Sequence, residues 1–139
     1  MTLEQLEERL PNGLHDAKIR SITHIYETGA LIVCVEILTG LPDDPPTIRS
    51  AYRDAVISFT DVSLCHIEQP ENERIIGAKG GVWFKYSRTE PGIWPLKLSE
   101  RFPVEAISYT LYILDWESSI HIVASDLNFS GAETSQPEA

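Results

Sequence analysis

The chain has little basic charge. Its 11 lysine and arginine residues stand against 21 aspartate and glutamate residues, which gives a net charge of −10. Such a charge repels nucleic acid and anionic membrane surfaces, so we expect no nucleic-acid partner and no membrane association. A basic protein partner would be attracted, although the need for solubility explains the charge equally well.

The chain also has few cysteines. Cys34 and Cys65 are its only two, and each lies within an apolar run. In a cytoplasmic protein this pattern predicts two buried free thiols rather than a disulfide. Apolar neighbours also argue against a reactive thiolate, because a reactive cysteine needs a basic and partly exposed setting.

Long hydrophobic runs are missing as well. No apolar run approaches the roughly 20 residues that a helix needs to span a bilayer. The first residues, Met1–Gln5, lack the basic start and the apolar core of a signal peptide. We therefore expect a cytoplasmic protein.

The remaining composition is that of an ordinary globular domain. A length of 139 residues with 42% hydrophobic residues is enough for one domain with one core. We assign this domain to residues 1–130. Residues 131–139 are small, polar and acidic, and they predict a disordered tail.

The first ten residues predict a short helix. Thr2 and Gln5 have the spacing of a capping box. Leu3, Leu6 and Leu10 form one apolar stripe, and so short a helix is stable only if that stripe packs on the rest of the fold.

Most of the remaining chain has the alternation of β-strands. Residues 17–26 and 31–38 form a hairpin with Gly29 in its turn, and residues 107–125 form a second hairpin connected at 115–119. Residues 55–60 predict a further strand, and Val62, Leu64 and Cys65 extend this run beyond Asp61, either directly or across another bulge. The fold class is therefore α+β, mainly β: a short N-terminal helix on a twisted antiparallel sheet or sandwich of roughly six to eight strands.

Three details of these strands are also predicted. The three-residue spacing of Ile19, Ile22 and Ile25 indicates a bulge or a strong twist. Residues 31–38 are apolar on both faces except at Glu36, which predicts a central strand covered on both sides. The segment 40–46 is a proline-rich loop that cannot join a sheet. The predicted core consists of Ile19, Leu31, Val33, Val35, Ile57, Phe59, Leu111, Ile113 and Ile122.

The turn before the first strand is the first candidate site. His15 and Asp16 would both face one cavity if this segment is a turn, and they could then act as a metal-binding or acid–base pair. In the structural alternative, Asp16 caps the turn and His15 binds a backbone carbonyl at the sheet edge. We favour the structural alternative, because no second pair of ligands at metal spacing supports the site.

The aromatic residues of the second half are the second candidate site. Trp83, Trp94 and Trp116 belong to a cluster of tryptophan, tyrosine and phenylalanine residues. Such residues are common in ligand pockets and in partner-binding patches. They also pack the cores and edges of twisted sheets, and both alternatives stay open.

No other pattern predicts a reaction. The histidines lack metal-ligand spacing, apart from His66 and Glu68, which share one strand face beside Cys65 and would leave a metal with too few ligands. No serine lies in a nucleophile elbow. We therefore predict no catalytic residue, no metal site and no cofactor.

Two stretches resemble a group of known families. Leu14–Ile19, with its His-Asp-small residue step into a strand, and Ala55–Val62 resemble small bacterial proteins of uncharacterised and immunity-protein-like families. The resemblance covers roughly half of the chain. It implies a compact β-rich protein that has no enzymatic activity and binds a partner, and it assigns no role to His15 or Asp16.

These observations favour a small acidic protein that is not an enzyme and that binds a macromolecular partner, such as a basic toxin-like protein. The alternative is a small-molecule pocket protein, or an enzyme, that uses His15, Asp16 and the aromatic residues. The sequence leaves the oligomeric state open.

Overall fold

The computed structural model describes residues 1–14, 16–68, 82–90, 105–114 and 117–131. Three predicted site residues, His15, Trp94 and Trp116, lie outside these ranges, and so do residues 132–139 of the predicted tail. The described elements are α1 (Leu3–Arg9), β1 (Lys18–Ile25), β2 (Ala30–Leu38), α2 (Pro46–Arg49), β3 (Tyr52–Thr60), β4 (Leu64–Ile67), β5 (Val82–Glu90), β6 (Ile107–Ile113), β7 (Ser118–Ala124) and β8 (Asp126–Ser130).

The strands are hydrogen-bonded in the order β4-β7-β6-β5-β1-β2-β3-β8, and their pairs are antiparallel. β1, β2, β3 and β8 form a four-stranded part, while β4, β7 and β6 form a three-stranded part. β5 pairs with β6 along most of its length and with β1 only at Lys18 and Ile19. The predicted fold class, α+β and mainly β, is confirmed.

Two connections, each between consecutive strands, join the two parts. β3 runs into β4 through residues 61–63, and β7 runs into β8 through Ser125. β3 pairs with β8, and β4 pairs with β7. The segment that contains β3 and β4 therefore stays beside the segment that contains β7 and β8 on both sides of the bend. The Ser125 amide donates to the Thr60 carbonyl at 2.9 Å, and Asp61 takes a left-handed conformation with φ of 50°. The run is therefore interrupted after Thr60, as the bulge alternative expected, but by a bend, and residues 64–65 belong to a separate strand, β4.

The core lies between these two parts of the fold. All nine predicted core residues are buried. The rings of Phe59 in β3 and Tyr109 in β6 meet edge to face at 5.0 Å, which packs one part against the other. Leu3, Leu6 and Leu10 are also buried, and α1 begins with the predicted capping box between Thr2 and Gln5.

β2 differs from its prediction. It is central, between β1 and β3, but its burial alternates along the strand. Leu31, Val33, Val35 and Ile37 face the core, whereas Cys34 and its same-face neighbours are only partly buried. The strand is therefore fully covered on one face only, although apolar residues stand on both of its faces.

One other prediction needs correction. Cys34 and Cys65 are free thiols, as expected, but each is only half-buried. The proline-rich segment 40–46 lies outside the sheet, as predicted, and its last residue, Pro46, begins the short helix α2. Proline is favoured in the first turn of a helix, because its fixed φ suits that position and its missing N–H is not needed there.

Candidate functional site

The turn that carries Asp16 is tied to the end of β2. The Asn12 side-chain amide donates to the carbonyls of Leu38, at 3.0 Å, and Gly40, at 2.7 Å. The Leu14 side chain is buried beneath the turn. Asp16 itself has a φ of 60°, a conformation that aspartate tolerates better than most residues. This geometry fixes where Asp16 stands relative to the sheet.

Asp16 belongs to a group of charged residues at this end of the four-stranded part. Burial raises the pKa of the Tyr52 hydroxyl, and the negative charges of Asp16 and Glu36 raise it further. Asp16 lies in the turn before β1 and Glu36 lies on β2, so two elements bring negative charge towards Tyr52. Asp16 thus lies near Glu36 and Tyr52, residues that the sequence did not single out.

The predicted bulge places a guanidinium in this group. The register between β1 and β2 shifts between Ile19 and Ser21, so Arg20 is the extra residue. Arg20 Nη1 donates to Asp54 Oδ1 at 2.9 Å, and Arg20 Nε lies 3.7 Å from Glu36 Oε1. Glu36 and Asp54 face each other directly across β2 and β3. Like charges in that position repel, and Arg20 offsets the repulsion.

A groove of about 540 Å³ extends from Arg20 across the outer face of the sheet. Ser21, Cys34, Val56 and Ser130 lie in register with one another across β1, β2, β3 and β8 and form its floor. Gly131 closes one end, where a Cβ atom would come within 2.8 Å of the Ala55 Cα. The groove thus offers hydroxyls, a half-buried thiol and one guanidinium to a ligand.

The five predicted binding residues have different outcomes. Asp16 is part of the charged group. Trp83 occupies the position in β5 that pairs with Lys18, two residues after Asp16, so the backbone brings these two predicted residues to the same end of the sheet. His15, Trp94 and Trp116 lie outside the described residues.

Sequence reasoning missed Arg20, Glu36, Tyr52 and Asp54. The isoleucine spacing did indicate the bulge, but the side chain that a bulge redirects is known only once the register of both strands is known. The pairing of Glu36 with Asp54 likewise depends on the β2–β3 register, which no turn signal in the 13 residues between the strands determines.

A second surface combines acidic and apolar side chains. We call the residues Glu8–Pro11 and Thr39–Arg49 the α1–loop surface. The end of α1 and the loop after β2 enclose a groove of about 460 Å³ that Glu8, Leu10, Leu41 and Asp44 help to line. Leu41 and Ile48 are 45% and 53% exposed, and they are among several large apolar side chains that the described surface exposes.

A third polar group lies where β4 meets β7. His66 and His121 are paired in register, with their rings stacked at 6.1 Å. Glu68 Oε2 lies 3.2 Å from His121 Nε2, while Glu68 Oε1 accepts from the Ser119 amide at 2.7 Å. The Ser119 hydrogen bond, followed by the interactions with His121 and His66, lowers the pKa of Glu68 despite its partial burial.

This third group connects β4 to β7. Among the described residues, no three histidine, cysteine, aspartate or glutamate side chains are arranged to hold a metal ion. Cys65 adjoins the group, and burial raises the pKa of its thiol, which keeps it protonated and weakly nucleophilic. Its neighbour His66 is exposed.

Comparisons with known proteins found no relative. No protein-family model matches the chain, and neither the curated proteins nor the solved structures contain a significant match. Within the described ranges, none of the helices has both the length and the apolar character needed to cross a membrane.

Proposed function

We propose that this chain is not an enzyme and that it binds a basic macromolecular partner. The observation that carries the proposal is the excess of acidic side chains on α1 and on the segment between β2 and β3. Together, α1 and the loop after β2 hold the carboxylates of Glu4, Glu7, Glu8, Asp43 and Asp44 against the guanidinium groups of Arg9 and Arg49. Such a surface attracts cationic partners and speeds their association.

Two further features support this proposal. The whole chain carries a net charge of −10, so a basic partner is attracted from every direction of approach. The His-Asp-small residue step at 15–17 resembles immunity-protein-like bacterial families, for which the expected partner is a toxin-like protein. We place the protein in the cytoplasm, where such a partner would be met.

The proposal is tested by salt-dependent capture. The immobilised chain is exposed to extract from the cell that produces it, at low and at high salt, and the captured protein is then purified for kinetics. We expect a basic protein whose association rate falls steeply as salt rises, since salt screens exposed charges beyond roughly 8 Å at physiological ionic strength. Capture of a protein whose association rate ignores salt would count against the proposal.

The outer-face groove favours a second candidate function. Its volume of about 540 Å³ lies within the range of small-molecule sites. A pocket protein or an enzyme would bind its ligand in this groove, beside Arg20 and Cys34. A tryptophan-fluorescence screen of small molecules separates the two functions. A salt-insensitive small-molecule hit, with no protein captured at either salt, would favour the pocket.

A further inference from the structure

The outer face of the four-stranded part, which points away from the core, has an apolar centre. Its two middle strands, β2 and β3, place Ile32, Cys34 and Val56 on this face, and each of these side chains is half-buried. Apolar residues on both faces are typical of a strand that is covered on both sides. The described part of the chain covers β2 fully on the core side alone, so its outer side is open to a second molecule.

Uncharged polar side chains surround this centre. Two rows of residues cross the four strands in register, and they consist of Ser21, Cys34, Val56 and Ser130, and of Thr23, Ile32, Ser58 and Asn128. None of these residues is charged. Their hydroxyl and amide groups can each donate and accept hydrogen bonds, so the same face on a second copy offers groups with which they can pair. An apolar centre with few charges inside a polar rim is also the anatomy of a protein interface.

The charged groups near this face lie at its borders. At one end stand two cations and three carboxylates: Lys18, Arg20, Asp16, Glu36 and Asp54. Arg20 donates to Asp54, which balances part of this charge. The charged residues at the other end are Glu27, Asp61 and Asp126, and Asp126 pairs with the amino group of Met1. The centre of the face therefore holds no carboxylate, although the chain carries a net charge of −10.

The outer face is large enough for a weak dimer. Its strands β1, β2, β3 and β8 contain 8, 9, 9 and 5 residues. With a rise of about 3.3 Å per residue and a spacing of about 4.8 Å between strands, they present roughly 500 Å². Two such faces in contact would bury roughly 1,000 Å², which lies at the lower limit for a specific interface and is typical of weak association.

We propose that the outer face binds the outer face of a second copy, so that the chain forms a weak symmetric homodimer. A second copy suits this face better than a basic partner does, because its central rows hold no carboxylate with which a cation could pair. One patch used twice implies a two-fold axis between the copies. The second copy covers the groove beside Arg20. This inference does not rest on the proposed function, and the α1–loop surface is not part of the contact.

The first test follows the mass of the full chain by sedimentation velocity, from micromolar to millimolar concentration and at low and high salt. Val56→Lys brings a cation into the proposed contact. Leu114→Lys is the matched control, because it adds the same charge at an exposed leucine in the turn after β6. Both variants should fold, since neither side chain points into the core, and circular dichroism confirms this before sedimentation.

We expect the parent chain to shift from monomer towards dimer, with a dissociation constant between about 10 µM and about 1 mM. Val56→Lys should weaken the dimer by at least about tenfold, because the two-fold axis places the added lysine in the contact twice. Leu114→Lys should not weaken it. Salt should strengthen the dimer, because it screens the repulsion between two chains that each carry −10. The capture of a basic partner has the opposite salt dependence, so the two proposals are told apart.

The two cysteines show which face is covered. Cys34 lies on the outer face, whereas Cys65 lies in β4, and both are half-buried. The alkylation rate of each thiol is followed by peptide mass spectrometry. Each rate is compared with that of the same thiol in dilute protein, because burial raises the pKa of Cys65 and slows its reaction. We expect Cys34 to react more slowly as the protein concentration rises, while the rate of Cys65 stays constant.

Three outcomes would overturn the dimer. A chain that stays monomeric at millimolar concentration, with Cys34 equally reactive throughout, would overturn it and leave the proposed function standing. A dimer that survives Val56→Lys and leaves Cys34 reactive would have its contact on another surface. Protection of Cys34 in a monomeric chain, by the captured basic protein or by a small molecule in the groove, would assign the outer face to that ligand instead of a second copy.

Discussion

Arg20 in β1 donates a hydrogen bond to Asp54 in β3 across the intervening strand β2. Arg20 reaches that far because it is the extra residue of the bulge between Ile19 and Ser21. Without it, Glu36 and Asp54 would face each other with no guanidinium between them. The bulge thus has an electrostatic consequence as well as a geometric one.

We predict that Arg20→Gln lowers the free energy of unfolding by up to about 1 kcal/mol. The loss is small because the side chains of Arg20 and Asp54 are 53% and 75% exposed, so water screens the pair. Urea unfolding at low and high salt measures it, and the difference should shrink at high salt. Arg49→Gln is the matched control for the charge that is lost. A second change, Asp54→Asn, should restore part of the stability, and a double-mutant cycle without coupling would contradict the pairing.

The face assignment of β2 gives the second prediction. Val35 is fully buried, whereas Cys34 beside it points to the groove on the outer face. Val35→Asp would bury a charge without a partner, so we expect it to abolish soluble expression. Cys34→Asp, on the outer face of the same strand, should be tolerated. A stable and soluble Val35→Asp protein would contradict the buried face of this strand.

Local sequence patterns predicted the features that are determined by residues close together in the chain. The spacing of Thr2 and Gln5 predicted the capping box, and the isoleucine spacing predicted the bulge, because both are determined within a few residues. The nine core positions followed from alternation, since period-two patterning selects one face of a strand.

Features that depend on distant pairing were not predictable. The bend between β3 and β4 contains Asp61 in a left-handed conformation. The apolar residues on either side of Asp61 do not predict this conformation, so the sequence indicates one continued run where the structure has two strands. The group of Asp16, Glu36 and Tyr52 forms only because β1, β2 and β3 align in one particular register. Sequence patterning ranks which residues are buried, but it does not state which strand lies beside which.

Tyr109 gives the third prediction. It is fully buried between the two parts of the fold, and its hydroxyl donates to the Met1 carbonyl at 3.2 Å. Burial, with a smaller effect of the Asp126 charge, raises the pKa of Tyr109 to about 12. Its stabilising effect is therefore complete below the ordinary tyrosine pKa of 10.0 and is lost as the pH rises towards 12.

An alkaline titration checks this. Ultraviolet absorbance should show one tyrosine ionising about two pH units above an ordinary tyrosine, at the same pH at which the near-ultraviolet circular dichroism is lost. Tyr109→Phe should remove that late step and make stability less dependent on alkaline pH. Ionisation of Tyr109 near the ordinary tyrosine pKa of 10.0 would contradict its burial.

Glu68 gives the last prediction, at the opposite end of the pH scale. It links the end of β4 to β7 through the Ser119 amide and His121. Its folded-state pKa is lowered, mainly by the Ser119 hydrogen bond, so its contribution to stability is present above its ordinary pKa of 4.5 and is lost as the pH falls below it.

Glu68→Gln keeps an oxygen that can accept from Ser119 but cannot ionise. We expect the free energy of unfolding to fall less in the variant than in the parent chain between about pH 5 and about pH 3, a window around the ordinary pKa of glutamate. Urea midpoints across this window measure the difference, with Glu117→Gln as the control because Glu117 is exposed. Parallel pH profiles for the parent and Glu68→Gln would mean that the Glu68 carboxylate does not hold β4 against β7.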